Sequence, residues 1–330
     1  FNLNFFNVFV NQMLIFFNQR RFRRLFNFNG FLSEQRSVGR SRRHVSKKTA
    51  TFYNTSKNYR DFKHQYLARF DYTIQDCLDF HESVKKHAVP LIREHEKRRK
   101  QKLKLEDYRP WDASVDEDGK KPLHPFRDSK ELIEKTISCF NKLDSYFGDC
   151  VKTMNAMHRL DLDSRIGKAP GGYQYPLYET DVPFIFMNSV GLHRDLTTMV
   201  HEGGHAIHSF LYKDLDLVDF KSPPSEVAEL ASMSMELLSM EHWDVFFDNP
   251  EDLKRAKRQQ LESVMDTLPW IAAIDKFQHW IYLNPNHTVE ERYAEWKKSW
   301  DEDEYLCVQA RVNTPKSRIG WATFEYNPYL

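Results

Sequence analysis

Apolar residues recur every three or four positions over most of the chain, with charged residues between them. This period is typical of helices that bury one face, and it predicts a mainly α-helical protein. Asp128, Ser129 and Ser225 are candidate N-caps, and Pro90 and Pro269 are candidate boundaries or kinks. The predicted helical segments are residues 58–103, 129–160, 192–212, 225–247, 251–284 and 288–300.

Only residues 160–191 have the pattern of strands. Two short runs of β type, YQYPLY (173–178) and PFIFMN (183–188), follow a turn at APGG (169–172). The run 183–188 is either a buried core strand or an edge strand beside which an extended peptide could add. These runs predict a small sheet within the helical fold, and no internal repeat is present.

Composition is that of a globular protein with a large core. The chain has 330 residues, of which 41% are hydrophobic and 29% charged, and this length can form two lobes. The four cysteines have no CxxC spacing, which favours free, buried thiols and a reducing compartment, so a cytoplasmic location is expected. These cysteines are Cys77, Cys139, Cys150 and Cys307.

Basic charge is concentrated at the amino terminus. Residues 1–50 carry ten Lys and Arg but one acidic residue, whereas the remaining chain is net acidic. Residues 1–48 are predicted to be a disordered or non-native extension, with a basic targeting arm as the alternative. Its many amides argue against a membrane span, and nothing in residues 49–330 favours nucleic acid as a partner.

Residues 201–205 spell His-Glu-Gly-Gly-His inside a predicted helix. Histidines four apart lie on one face of a helix, and neutral imidazoles suit Zn²⁺, which takes three protein ligands and a water at catalytic sites. Glu202, about 100° round the helix from His201, would face that water and act as general base. A surface helix with ordinary histidines can carry the same five letters, so the surrounding residues must decide.

A third ligand is not found within the same helix. The pattern HExxHxxGxxH requires Gly and His where this chain has His208 and Leu211, and that class of site is excluded. His208 is interpreted as a flanking residue. The ligand is therefore expected from another segment.

The next predicted helix, 225–247, carries three glutamates on one broad face. Glu229 follows His205 by 24 residues across a Pro-Pro loop, and an antiparallel return of the chain would point it at both histidines. Glu226 is the competing ligand, and Glu236, two turns on, could orient a ligand imidazole. A solvated helix edge is the alternative for all three, but the same face is otherwise largely apolar.

Two glycines inside a helix cost about 1 kcal/mol each relative to alanine, so local stability does not explain them. We predict that Gly203 and Gly204 allow close packing against the strand 183–188 or the helix 225–247. In the strand region, an extended peptide added beside the strand is expected to contact Gly171, Gly172, Tyr173, Phe184 and Phe186.

HEGGHAIHSF (201–210), followed by SEVAELASMSMELL (225–238), resembles the oligoendopeptidase F branch of the thimet oligopeptidase family of zinc metallopeptidases. The stretch 167–195 is similar to that family's glycine-rich loop and strand beside the cleft, and the likeness extends from about Asn58 to Trp300. The resemblance implies a helical, zincin-like catalytic domain, half of a two-lobed clamshell, that cuts short peptides inside cells.

The resemblance also implies individual roles. One zinc ion per chain would be bound by His201, His205 and Glu229, with Glu202 as the base. Glu229 opens the family's E-x-x-S-x-x-x-E stretch, which places Ser232 and Glu236 around the ligands. Short peptides are the implied partners, and no pattern predicts an oligomeric state.

The resemblance fades after residue 300. The family's later segment carries a histidine and tyrosines that donate hydrogen bonds to the oxyanion, but this chain has no histidine after His287. Alignment of the tail places Ala322 at the histidine position, with Tyr326 and Tyr329 as remnants of the tyrosines. Residues 49–330 are thus expected to be a partial catalytic region, and a catalytically impaired zinc-binding fragment is the alternative to an active endopeptidase.

Overall fold

The computed structural model describes residues 56–298, and the fold within this range is mainly helical with one small sheet, as predicted. The helices are α1 Tyr59–Tyr66, α2 Ile74–His87, α3 Val89–Lys102, α4 Ser129–Leu143, α5 Ser145–Ala156, α6 His193–Tyr212, α7 Ser225–Ser239, α8 Pro250–Leu283 and α9 Val289–Lys298. The strands are β1 Leu160–Asp163, β2 Tyr173–Tyr175 and β3 Phe184–Ser189. The predictions for residues 1–48, Ala322, Tyr326 and Tyr329 lie outside the described residues.

The described residues divide into two compact units. The first consists of 56–68, 126–190 and 194–245, and it contains the sheet, α4, α5, α7 and nearly all of α6. The second consists of 69–125, 191–193 and 246–298, and it contains α2, α3, α8 and α9. In the first unit, the fully buried residues include Phe140 of α4, Met154 of α5, Ile185 of β3 and Met199 of α6.

Helix ends agree with the sequence prediction at some positions and differ at others. The Asp128 side chain accepts a hydrogen bond from the Glu131 backbone at 2.9 Å and caps α4, as expected. Pro90 lies in the first turn of α3 and marks a boundary, whereas α8 continues through Pro269. The predicted Ser225 cap is wrong, because Pro224 is the N-cap residue of α7 and no side chain caps that end.

The sheet has the order β1-β3-β2, with β1 parallel and β2 antiparallel to β3. Residues of β3 alternate between half-buried and buried, with Ile185 and Met187 fully buried. Because β3 pairs on both sides, the idea that 183–188 is an edge strand is wrong, and a peptide cannot add beside its paired residues. Among the described strands, β2 is the edge strand that follows the glycine-rich turn.

The cysteines within the described residues form no disulfide bond. Cys139 and Cys150 are buried, as expected, and Cys77 is half-buried. Burial raises the pKa of Cys139 to about 12, which keeps this thiol protonated and unreactive. No helix among residues 56–298 combines the length and the apolar character that crossing a membrane requires.

Asp266 in the second unit is expected to make stability depend on pH. Burial raises its pKa from 3.8 to about 6, with Glu262 adding to the shift and Arg99 opposing it. The folded chain therefore holds this proton more tightly than the unfolded chain, so stability falls as the pH rises from about 4 to above 6. At pH 7 Asp266→Asn should raise the free energy of unfolding by about 1–2 kcal/mol, and the gain should vanish at pH 4.

Urea denaturation at both pH values measures this effect. Asp107→Asn is the matched control, because Asp107 is exposed and its substitution should leave stability unchanged at either pH. An equal gain from Asp266→Asn at pH 4 and pH 7 would contradict the assignment.

Candidate metal centre

Helix α6 carries His201 and His205 on one face. Their rings lie one turn apart, with centroids 4.9 Å from each other and planes at 87°. Their side chains are 25% and 16% exposed, so each ring keeps one edge accessible within a largely buried setting. The spacing in the sequence has thus produced a pair of imidazoles that can bind one ion together.

Helix α7 brings Glu229 to the two histidines. Its Oε2 lies 3.4 Å from His201 Nε2, and its Oε1 lies 3.7 Å from His205 Nε2. His201 contacts Glu236, whereas the later His205 contacts the earlier Glu229, so α6 and α7 run in opposite directions. This is the antiparallel return of the chain that the sequence predicted. Glu226, the competing candidate, is exposed and is not in this group.

These distances fit a metal site better than hydrogen bonds. Hydrogen bonds between nitrogen and oxygen measure about 2.7–3.2 Å. Two ligands on one tetrahedral zinc ion, at bond lengths of about 2.0–2.2 Å, are about 3.3–3.6 Å apart. One donor atom from each of the three side chains lies within 4.8 Å of the other two. Two imidazoles and a carboxylate are also a donor set that zinc takes at catalytic sites.

The other two residues of the predicted stretch hold these donors in place. Glu236 Oε1 lies 2.6 Å from His201 Nδ1, so the opposite ring nitrogen, Nε2, is left pointing at Glu229. Ser232 Oγ lies 3.0 Å from both the backbone oxygen and Oε2 of Glu229. The structure therefore places Glu236 and Ser232 around the three candidate ligands, as the sequence predicted.

The two histidines have pKa values shifted in opposite directions. Burial lowers the pKa of His201, but the Glu236 carboxylate, with Glu202 and Glu229, outweighs burial, and the net shift is upward. Burial lowers the pKa of His205, the nearby His201 adds to the shift, and Glu229 opposes it. The His205 ring therefore stays neutral near pH 7, and a neutral ring is the form that binds a metal.

Glu202 lies on α6 next to the edge strand β2. It is buried, with 7% of its surface exposed, and its Oε2 has no hydrogen-bond partner among the described residues. Burial raises the pKa of its carboxyl; His201 opposes the shift, Glu229 adds to it, and the Gln174 backbone N–H opposes it. A buried carboxylate oxygen without a partner is costly for the fold, and such a group is typical of a functional site.

The two glycines of α6 allow close approach of other helices. A Cβ on Gly204 would meet the Ala231 backbone oxygen and Ser232 Cα at 2.8 Å, which confirms the predicted contact with the following helix. A Cβ on Gly203 would meet the Phe140 ring of α4 at 2.8 Å, a contact that the sequence did not indicate. The nearest atoms to either Cβ do not come from β3, which was the other predicted neighbour.

Gly204→Ala is expected to lower the free energy of unfolding by up to about 2 kcal/mol. The added methyl would push apart the backbones of α6 and α7 at a cost of about 1–3 kcal/mol, of which about 1 kcal/mol is offset by better helix propensity. Gly203→Ala should cost less, because the end of the Phe140 ring can tilt away. Urea denaturation of both variants checks the order, and a larger loss for Gly203→Ala would contradict it.

The glycine-rich loop is tied to β3 next to the metal centre. Asn188 Nδ2 donates to the backbone oxygens of Ala169 and Gly171 at 2.9 Å each, and Gly171 has a φ of +102°. A Cβ on Gly172 would lie 3.2 Å from Thr198 of α6, so the loop also follows that helix closely. Gly171 and Gly172 are exposed, which leaves their backbone open to a ligand.

The three predicted aromatic contacts differ in accessibility. The Tyr173 ring is half exposed and stacks on Phe186 with centroids 5.0 Å apart. Lys168 Nζ lies 4.4 Å from the Phe186 centroid, so the Phe186 ring already contacts both Tyr173 and Lys168 of the protein itself. Phe184 is half-buried at the start of β3. Tyr173 is therefore the aromatic residue of the three that solvent reaches most readily.

A cavity of about 250 Å³ adjoins His205, and sequence reasoning missed most of its lining. Its polar and aromatic walls include Gln174, Tyr178, His208, Tyr212 and Lys221. Spacing gave one signal, because residues 205, 208 and 212 fall on a single helix face. The His208 ring packs 5.3 Å from the Tyr212 ring, so this residue lines the cavity rather than merely flanking the metal ligands.

Comparisons with known proteins agree with this architecture. The oligoendopeptidase F homolog of Lactococcus lactis subsp. lactis (strain IL1403) is 28% identical over 256 residues, which are 76% of this chain and 41% of that protein. Oligopeptidase PepF of Bacillus subtilis (strain 168) is 25% identical over 297 residues, or 86% of this chain and 42% of that protein. The chain therefore spans about two-fifths of the length of these relatives.

A solved structure and a family model extend the comparison. The structure of PZ peptidase A with an inhibitor has a TM-score of 0.70 and 28% identity, and the match covers 82% of this chain and 48% of that one. The model of peptidase family M3 matches residues 42–320, which include every residue of the candidate metal centre. By sequence, by fold and by the extent of that match, the chain belongs to peptidase family M3.

Proposed function

We propose that this protein is a zinc-dependent endopeptidase that hydrolyses short peptides. The observation that carries the proposal is the convergence of His201, His205 and Glu229, with donor atoms within 4.8 Å of one another, beside the buried Glu202 carboxylate. Membership of a peptidase family supports the same reaction class.

In this proposal the three converging side chains hold one zinc ion. The bound ion would act as a Lewis acid toward water and the substrate carbonyl. Glu236 supports the site by holding the His201 ring through Nδ1, and Ser232 supports it by fixing one oxygen of Glu229.

Glu202 is proposed to be the general base. Burial raises the pKa of Glu202 toward the pH at which the enzyme would work. A carboxylate with such a pKa can take a proton from the attacking water and return it to the leaving amine. Its unpartnered Oε2 gives it an oxygen available for that exchange. The Gln174 backbone N–H donates a hydrogen bond to the Glu202 carboxylate and holds it beside β2. In this proposal, β2 is also the strand along which the peptide binds.

The substrate is proposed to bind as an extended strand along the exposed edge of β2. Main-chain pairing there would give affinity with little dependence on sequence. The neighbouring cavity, with Tyr178 and Tyr212 in its walls, would hold one substrate side chain. The Lys221 charge at that cavity is paired with Asp181 at 2.9 Å, so the walls favour an apolar or aromatic side chain over an acidic one.

A quenched-fluorescent peptide assay tests the proposal directly. Protein purified without chelator should contain zinc and cleave the peptide, a chelator should abolish turnover, and added zinc should restore it. Zinc binding without any turnover would overturn the peptidase proposal in favour of a metal-binding role. Absence of zinc at the three proposed ligands would overturn the metal assignment as well.

A further inference from the structure

A second group of metal-binding side chains lies in the second unit, where helices α2 and α8 meet. Helix α2 carries Cys77 and His81, and helix α8 carries Asp275 and His279. Each pair is separated by four residues and so lies on one helix face. None of these residues belongs to the candidate metal centre on α6 and α7.

The distances within this group resemble those of the first centre. One donor atom each from Cys77, Asp275 and His279 lies within 4.8 Å of the other two. His279 Nε2 lies 3.5 Å from Asp275 Oδ2, which is long for a hydrogen bond but within the spacing of two ligands on one tetrahedral ion. His81 Nε2 lies closer, 2.8 Å from the same oxygen, at true hydrogen-bond distance.

The surroundings provide both rigidity and access. The side chains of His81 and His279 are 3% and 11% exposed, whereas that of Asp275 is 39% exposed. Ala272 and Ala273 are fully buried one turn before Asp275, in a core cluster with Val84 of α2. The small alanines let the two helices approach, while the exposed carboxylate gives an ion a path from solvent.

We propose that Cys77, Asp275 and His279 bind a second zinc ion, and that His81 orients the Asp275 carboxylate. The ligand chemistry decides the metal class: a thiolate combined with an imidazole suits zinc, whereas magnesium and calcium prefer sites made of oxygen atoms. An ion pair between His81 and Asp275 alone would account for the 2.8 Å contact. It would not account for a thiol and a second imidazole converging on the same carboxylate.

Metal analysis of the full chain separates the two centres. In a His201→Ala background, which removes a ligand of the first centre, the protein should still retain about one zinc ion per chain. Adding Cys77→Ser should remove that ion, whereas adding Cys150→Ser should not, because Cys150 belongs to the first unit and lies outside the group.

Cobalt substitution gives a readout that the first centre cannot produce. A thiolate bound to Co²⁺ gives a charge-transfer absorption in the near ultraviolet, and the ligands His201, His205 and Glu229 contain no sulfur. The absorption should appear with His201→Ala, persist with added Cys150→Ser, and disappear with added Cys77→Ser or His279→Asn. Far-ultraviolet circular dichroism of each variant ensures that the loss reflects a missing ligand in a folded chain.

Two results would overturn the second site. One is the absence of both retained zinc and the cobalt absorption from the His201→Ala protein. The other is their persistence in folded protein that also carries Cys77→Ser. Failure of the first centre to bind zinc would affect neither the zinc content nor the cobalt absorption measured here, because His201→Ala removes that centre from every protein in the experiment.

Discussion

Glu202→Gln is expected to lower kcat by about 10²–10⁴-fold, the usual contribution of a general base, while the zinc content stays unchanged. The amide has the shape of the carboxylate but cannot accept a proton from water. Glu202 is 7% exposed, so bulk solvent does not readily replace its role. Peptide turnover at saturating substrate and elemental zinc analysis measure the two quantities in the same preparation.

The matched control is Glu241→Gln, an identical chemical change at an exposed position of the first unit, which should leave kcat within about twofold. If Glu202→Gln kept more than about a tenth of the activity, the carboxylate would not be the base. If it lost zinc as well, Glu202 would have to be assigned to metal binding.

Glu229→Ala should weaken zinc binding at the first centre by more than about 100-fold, because mutation of residues that merely orient a ligand already costs about 10–100-fold. The substitution leaves His201 and His205 with no third donor within reach in the described residues. Competition with a chromophoric chelator measures the affinity, and peptide turnover should fall in parallel.

Glu226→Ala is the control for this prediction, since Glu226 lies one turn earlier on α7 but outside the ligand group. Its zinc affinity should remain within about twofold of the unchanged protein. Equal losses for the two variants would point to a general effect on α7, and a loss confined to Glu226→Ala would reverse the assignment of the ligand.

The helices and the grouping of side chains at the candidate metal centre could be predicted from sequence because both depend on local spacing. Histidines four apart must share a helix face, and a helix that follows in an antiparallel direction after the Pro-Pro loop brings Glu229 back beside them. The Ser225 cap failed for an equally local reason. Pro224 takes the cap position itself, and its backbone oxygen accepts from Val227 and Ala228 at 3.0 Å.

The sheet order and the cavity could not be predicted, because they depend on partners far away in the chain. The β3 pattern predicts a half-buried strand but does not specify its neighbours, and β1 is only four residues long. Tyr178 and Lys221 line the same cavity from non-helical and 3₁₀ segments, where no period reveals which way a side chain points.

The residues that meet in the two centres are separated by very different lengths of chain, and this difference has a consequence for folding. The residues of the first centre, from His201 to Glu236, fall within one helical hairpin, so little loop entropy opposes their assembly. His81 and Asp275 are 194 positions apart. During synthesis, α2 must therefore wait for α8 to emerge, and until then its Val84 side chain lacks the alanines that cover it in the folded chain.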